Sequence, residues 1–228
     1  MAKSYLLDSS VGKKVIVGLT GLFLISFLVV HVGINSLILV DIINPDDNGD
    51  LFNSAAHFMS HFWLIRIMEI GLLLGLIAHI ALTLKLTLAN RENRPVGYAV
   101  SAANTNSKWY SRSMAVLGSL LLMFLVVHMS DFWLDTKKAL YVTGEPDNPF
   151  LNVIHALSNP ILLVIYLVGI GSLAFHLMHG FPSAFQSLGL NHKKYTPIIK
   201  CLGTAFSIIV PALFAIIALA VFLGLVKP

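Results

Sequence analysis

The sequence predicts an all-α integral membrane protein, a bundle of five transmembrane helices. Hydrophobic residues make up 57% of its 228 residues, and the mean hydropathy is +0.82. Only 11% of the residues are charged, whereas a soluble domain averages about 25%. Five apolar stretches approach or exceed the roughly 20 residues that cross the hydrocarbon core of a bilayer. We therefore expect one membrane domain over residues 1–228.

Charged residues and prolines bound the five predicted spans. The spans lie between Lys14 and Asp41, from about Phe62 to Leu88, between Arg112 and Asp131, from about Pro160 to Gly180, and between Lys200 and Lys227. Pro211 should kink the fifth span, because proline removes one helical N–H donor. The loop 44–61 predicts a short interfacial helix capped by Asn53 or Ser54. Residues 181–197 predict a further short element.

Lysine and arginine predict the orientation, since they concentrate in cytoplasmic loops. Eleven of the 15 fall on the N-terminal side: Lys3, Lys13, Lys14, Lys85, Arg91, Arg94, Lys108, Arg112, Lys193, Lys194 and Lys200. The acidic loop residues fall on the opposite side: Asp41, Asp46, Asp47, Asp50, Asp131, Asp135, Glu145 and Asp147. We therefore expect a cytoplasmic N-terminus and a C-terminus outside. The sequence pI near 9.2 reflects this basic rim and does not indicate nucleic-acid binding.

The single cysteine, Cys201, restricts the redox chemistry of the chain. It excludes an internal disulfide, a four-cysteine iron–sulfur cluster and covalent c-type haem attachment. The sequence also contains neither a dinucleotide-binding GxGxxG pattern nor a P-loop. Any flavin or iron–sulfur centre would therefore belong to another subunit.

A five-residue stretch, FLVVH, occurs at residues 27–31 and again at residues 124–128. Three pairs share the offset of 97 residues: His31 with His128, His79 with His176, and Gly21 with Gly118. All four histidines lie in apolar runs. The repeat predicts two half-bundles that carry two equivalent sites.

The helical rise of about 1.5 Å per residue places these histidines at two depths, about 15 Å apart. His31 and His128 share the outer level, and His79 and His176 share the inner one. A histidine inside a membrane is costly and usually functional, although a hydrogen bond to a neighbouring helix remains the alternative. Zinc fits poorly, because structural zinc sites need four converging ligands. We predict two haem b groups, each with two axial imidazoles.

Two further features bear on the haem sites. Gly21 and Gly118 are predicted to line them, because small residues let a macrocycle approach the helix backbone. His179 is one turn from His176 and is a rival for the inner ligand, but it does not follow the 97-residue offset. The haem propionates would need donors near the inner rim, and the candidates are Lys13, Trp109, Tyr110, Ser111 and Arg112.

Several segments resemble the dihaem cytochrome b membrane anchor of succinate:menaquinone oxidoreductases, a family that includes the dihaem subunit of fumarate reductases. The resemblance rests on residues 52–59 (FNSAAHFM), 176–180 (HLMHG) and 183–189 (SAFQSLG), with Arg66 and Glu69. It implies a five-helix anchor in which His79 and His176 bind the cytoplasm-proximal haem. His31 and His128 would bind the distal haem. The histidine at position 179 departs from the family pattern, which leaves its role open.

The resemblance also implies the partners and the location. A flavoprotein subunit and an iron–sulfur subunit would dock on the cytoplasmic face of a bacterial inner membrane. Electrons would pass from succinate through flavin, clusters and both haems to menaquinone. The chain would not itself oxidise succinate, but it would carry the quinone-reactive part of an oxidoreductase complex.

A quinone site is expected near the outer haem, where polar residues could supply hydrogen bonds or protons. Its candidates are Arg66, Glu69, His57, His61 and Asp131. Burial would raise the pKa of Glu69 and favour its protonated form. The alternative for Glu69 is an ion pair with Arg66 at spacing i, i+3.

Two other functions remain open at this point. One is the dihaem cytochrome b subunit of another quinone-linked enzyme, such as a fumarate reductase, hydrogenase or formate dehydrogenase. The other is a transporter that is lined by histidines and contains no haem.

Overall fold

The computed structural model describes residues 9–92, 108–144 and 148–227. Five helices in these ranges are long and apolar enough to cross a membrane: Ser10–Ile43, Trp63–Glu92, Met114–Thr143, Pro160–Ser187 and Thr196–Phe222. The predicted all-α class and the five spans are therefore confirmed. Of the charges used to predict orientation, Lys3, Arg94, Glu145 and Asp147 lie outside the described residues.

Ten α-helices make up most of the described chain. They are α1 Ser10–Asn35, α2 Val40–Ile43, α3 Asp50–His61, α4 Trp63–Glu92, α5 Trp109–Arg112, α6 Met114–His128, α7 Asp135–Lys138, α8 Pro149–Ser158, α9 Pro160–Ser187 and α10 Thr196–Phe222. A 3₁₀ turn, Ser36–Leu39, joins α1 to α2. Two π-helical segments, Met129–Leu134 and Ala139–Thr143, flank α7. We call the end that holds α2, α3 and α8 the far end, and the opposite end the near end.

The third span continues past Asp131, where the charge pattern had predicted its end. Its helical course runs through α7 to Thr143. The charges on α7 are accommodated by ion pairs. Lys138 lies 3.3 Å from Asp135, and Lys137 lies 2.8 Å from Glu69 of α4. The sequence prediction was wrong here because it took Asp131 as the end of the third span.

Residues 181–187 are part of α9, so the separate element predicted over 181–197 is wrong. The prediction had ended the fourth span at about Gly180. Packing on α10 holds the helix together in this region. The Phe181 ring lies 5.8 Å from the ring of Phe206, and an added Cβ on Gly203 would come within 2.8 Å of Phe181. The helix α10 is likewise continuous through Pro211.

The short helix expected in the loop 44–61 is α3, but its N-cap is Gly49 instead of Asn53 or Ser54. Gly49 adopts a left-handed conformation with φ of +75°. Asn53 instead connects α3 to α8: its amide oxygen accepts a hydrogen bond from the backbone N–H of Phe150 at 3.0 Å. Its amide nitrogen donates to the side-chain oxygen of Asn148 at 3.1 Å. A fully buried Phe150 then packs against Gly49.

The helix α9 is the centre of the bundle. It packs against α1, α6 and α10, and α1 in turn packs against α4. Small residues allow these close approaches: Gly169 faces Phe124 of α6, and Gly18 faces the backbone of Ala184. Extensive packing between described residues therefore runs in the order α4, α1, α9, α6. The pairs α1–α6 and α4–α9 are the diagonals of this arrangement and are not among the extensively packed pairs.

Candidate functional site

Each diagonal of the bundle is bridged by two histidines. On one diagonal, the ring centroids of His31 on α1 and His128 at the end of α6 are 5.7 Å apart, with the rings almost perpendicular at 85°. On the other, the rings of His79 on α4 and His176 on α9 are 6.4 Å apart at 63°. The structure thus brings together the two histidine pairs that share the 97-residue offset.

The spacing of both pairs suits one metal ion between two imidazoles. A metal–nitrogen bond is about 2 Å long, and a ring nitrogen lies about 1.2 Å from the centroid of its own ring. Two imidazoles in line across one ion therefore have centroids about 6.4 Å apart. The His79–His176 distance of 6.4 Å matches this value, and the His31–His128 distance of 5.7 Å is shorter than it.

The two histidine pairs lie at different depths in the bundle, and positions along α1 give the distance between them. An added Cβ on Gly21 would lie 3.5 Å from Cε1 of His79, so Gly21 marks the level of the near pair. His31 follows ten residues later, which corresponds to about 15 Å along an α-helix. The two levels are therefore separated along the helix axis by about half of the hydrocarbon thickness.

All four histidines line one cavity of about 2600 Å³. Ligand pockets commonly measure about 300–1,000 Å³, so this volume has room for more than one large group. The walls are mainly apolar side chains, which suits a porphyrin face. Gly21 and Gly118 also line the cavity, and an added Cβ on Gly118 would meet nothing within 4 Å.

The ring nitrogens of the histidines are incompletely satisfied. Nδ1 of His128 and Nδ1 of His176 are buried and have no hydrogen-bond partner in the described part of the chain. Nδ1 of His79 lies 3.2 Å from the hydroxyl of Thr20, and Nδ1 of His31 lies 3.3 Å from the amide nitrogen of Asn35. Buried polar atoms without partners are uncommon in folded proteins. The Nδ1 contacts of His79 and His31 leave Nε2 of these two rings for ligation of a haem iron, whereas ligation of His128 and His176 through Nε2 would leave their Nδ1 atoms without a partner among the described residues.

The donor set also bears on the kind of metal centre. Within residues 9–92, 108–144 and 148–227, no group of three or more histidine, cysteine or carboxylate side chains is placed to hold an ion. The histidines converge in twos, whereas structural zinc sites use four ligands. Two imidazoles on opposite sides of one ion suit a macrocycle that supplies the remaining ligands itself.

At the far end of the cavity, Glu69 and Arg66 bind different partners instead of each other. The carboxylate of Glu69 accepts hydrogen bonds from the Trp133 indole at 2.5 Å and from Lys137 at 2.8 Å. Arg66 donates to the Ser60 carbonyl at 2.8 Å and to the Tyr141 hydroxyl. The alternative of an i, i+3 ion pair between Glu69 and Arg66 is therefore wrong. Sequence reasoning missed Lys137 as the partner because it placed this residue in a loop.

Of the remaining far-end candidates, two histidines lie at the cavity, and Asp131 is not among its lining residues. His57 and His61 of α3 are exposed and stack with ring centroids 3.8 Å apart, and both line the cavity. Asp131 accepts a hydrogen bond from the Tyr166 hydroxyl at 3.0 Å.

The near-end candidates lie outside the cavity lining. Lys13, Trp109, Tyr110, Ser111 and Arg112 do not contribute to it. The indole of Trp109 packs instead on Phe175, with centroids 4.7 Å apart. Their contact with haem propionates stays a prediction.

Polar side chains that were not predicted as site residues line the near end. They are Thr83, Thr87, Asn90, Ser183 and Ser187. His179 also lines this end, and its Nε2 lies 3.2 Å from the Ser183 hydroxyl. The available signal was polar residues spaced four apart within apolar helices, as in Thr83 with Thr87 and His179 with Ser183.

No protein-family model matches the chain, and the searches of curated proteins and of solved structures also find no match.

Proposed function

We propose that this chain is a dihaem cytochrome b, the membrane anchor and electron-transfer subunit of a succinate:menaquinone reductase. The observation that carries the haem assignment is the pair of histidine couples, 5.7 and 6.4 Å apart, on the two diagonals of one bundle. His79 and His176 would hold the near haem, and His31 and His128 the distal one. Each bound haem supplies a one-electron redox centre.

The chain contributes the ligands, their orientation and a water-poor environment. Each haem would be held by two histidines, and such a centre favours electron transfer over binding of a small molecule at the iron. Thr20 would hold the His79 ring through Nδ1, and Gly21 leaves room beside that ring. The apolar walls of the cavity would exclude water from both centres.

The asymmetry of basic residues supports a cytoplasmic near end and a C-terminus outside. The family resemblance is the support for a bacterial inner membrane. A flavoprotein subunit and an iron–sulfur subunit would dock on the cytoplasmic face. Support for these partners comes from residues 52–59 and from the layout of the four histidines. Succinate would be oxidised on the partner subunits.

Menaquinone would bind at the far end of the cavity, close to His31 and His128. Arg66, Glu69 and His57 line the cavity there together with Lys137 and Tyr141. These side chains form a network of donors and acceptors that joins α4 to α7 and the segment that follows it. A quinone head group needs such donors for its two oxygens. The geometry would place them next to an apolar space for the isoprenoid tail.

Haem content per chain tests the haem assignment. The chain is expressed with ample haem, purified, and its haem is quantified together with a dithionite-reduced spectrum. We expect two haems per chain, and one haem after His→Ala substitution within either couple. The control is His192→Ala, because His192 is exposed in the near-end turn before α10. A chain without a Soret band would overturn the proposal and favour the haem-free transporter.

Two further measurements separate the remaining alternatives. His179→Ala should keep both haems if His176 is the ligand, and loss of one haem would reverse that choice. Copurification with a flavin-containing subunit that oxidises succinate distinguishes this complex from hydrogenase and formate dehydrogenase. A partner that oxidises hydrogen or formate would contradict the succinate assignment while leaving the dihaem one intact.

A further inference from the structure

Tyr166 and Asp131 form a hydrogen-bonded pair beside the distal histidines. The hydroxyl of Tyr166 donates to Oδ2 of Asp131 at 3.0 Å. The Tyr166 side chain is almost fully buried, with 6% of its surface exposed. Its ring lies 5.9 Å from the His128 ring at an angle of 62°. The phenol ring therefore contacts His128 while its hydroxyl binds the carboxylate.

The backbone following His128 places Asp131 in this position. The helix α6 ends at His128, and the π-helical segment Met129–Leu134 begins at the next residue. Such segments are rare, and they frequently occur at functional sites. Asp131 follows His128 by three residues, so it stays within about one helical turn of the proposed ligand.

The two lysines of α7 have other partners. Lys137 binds Glu69, and Lys138 binds Asp135. Across the described ranges, no ion pair involves Asp131, and its hydrogen bond comes from Tyr166. Asp131 is half-buried, and the charge of a partly buried carboxylate is screened less than that of one in water. Its charge should therefore reach a redox centre held by His128.

We propose that Asp131 and Tyr166 set the reduction potential of the distal centre, the one that His31 and His128 would hold. The inference rests on the proposed dihaem function. The negative charge of Asp131 favours the more positive, oxidised iron and so lowers the potential. The hydroxyl of Tyr166 moderates this effect, because its donated hydrogen bond disperses part of the charge. Neither residue binds the iron, so both are positioning residues.

The proposal makes opposite predictions for the two partners of one hydrogen bond. Asp131→Asn removes the charge and should raise the distal potential by about 59 mV, which is a tenfold change in the equilibrium constant of a one-electron reduction. Tyr166→Phe removes only the donor and should lower the same potential. A role limited to packing would move both variants in the same direction, because each would loosen the support of His128.

The test is a mediated redox titration of the purified dihaem protein, followed through the reduced haem bands. One electron enters the iron from the mediator, and no bond changes at Asp131 or Tyr166. The charge-preserving variant Asp131→Glu should change the equilibrium constant for reduction of the distal centre by less than about threefold. The matched control is Asp135→Asn, which removes an exposed carboxylate that is paired with Lys138 farther along the same helical course.

Opposite shifts that are confined to the distal centre would support the proposal. Unchanged potentials, shifts of equal sign, or equal shifts at both centres would overturn it. If Asp131→Asn loses the distal haem, the sign of the Tyr166→Phe shift decides whether the proposal holds: a lower distal potential supports it, and a higher one overturns it. Absence of haem from the unsubstituted chain would be a different result, since it would reject the proposed function itself.

Discussion

The hydroxyl of Thr20 on α1 lies 3.2 Å from Nδ1 of His79 on α4. The same hydroxyl is 2.9 Å from the Ile16 carbonyl and can donate to it. It can therefore accept a hydrogen bond from a protonated Nδ1. This arrangement leaves Nε2 of His79 unprotonated and available to a metal ion. Thr20 thus acts on the near site from a neighbouring helix without being a ligand.

Replacing Thr20 with valine should weaken haem binding at the near site by about 10–100-fold, the usual effect of removing a hydrogen bond to a metal ligand. The distal site should keep its haem. Haem retention per chain during dilution into apo-myoglobin measures the effect. Thr204→Val is the control, because the Thr204 hydroxyl binds only its own helix at Lys200. Equal retention in both variants would show that Thr20 does not support the site.

Gly21 provides a steric test of the near site. An added Cβ would lie 3.5 Å from Cε1 of His79, which is an ordinary contact. Gly21→Ala should therefore bind both haems, whereas Gly21→Leu should displace the His79 ring and lose the near haem. Reduced spectra with haem quantified per chain distinguish the two outcomes. Near-haem loss from Gly21→Ala as well would mean that the macrocycle itself occupies the space beside Gly21.

Gly49 should be essential to the far-end structure. Its φ is +75°, and an added Cβ would collide with the buried ring of Phe150. Gly49→Ala should therefore lower the free energy of unfolding by more than about 2 kcal/mol, because strain and a core clash act together. Thermal unfolding in detergent measures this effect.

Gly144→Ala is the matched control for Gly49→Ala. Gly144 also has a positive φ, +66°, but an added Cβ would meet nothing within 4 Å. We expect it to cost only about 1–2 kcal/mol, the penalty of the left-handed conformation. Equal losses in the two variants would contradict the packing of Phe150 on Gly49.

Glu69→Gln should slow quinone reduction while both haem bands remain. The amide can still accept from Trp133, but it loses the charge that binds Lys137 and cannot carry a proton. We expect a loss of about 100-fold, the lower end of what a positioned proton donor contributes. The measurement is succinate-driven reduction of a menaquinone analogue by the complete complex. An unchanged rate would remove Glu69 from the proton path.

The number of spans and the four histidines could be predicted because both can be read directly from the order of residues along the chain. A bilayer demands about 20 apolar residues per helix, and a 97-residue repeat is visible without coordinates. The boundaries were less predictable, because they depend on distant partners. The third span continues through α7 since Lys137 binds Glu69 from another helix.

The 97-residue offset predicted the two histidine pairs, and helix packing decided which other side chains meet. Spacing along the chain placed His31 and His128 at one depth, but depth does not specify which helices face each other. The close contacts of Gly169 with Phe124 and of Gly18 with Ala184 bring α6, α9 and α1 together, and the histidines then meet across the open diagonals. The partners of Glu69, Arg66 and Asp131 were set in the same way, because hydrogen bonds between helices form only where the helices pack.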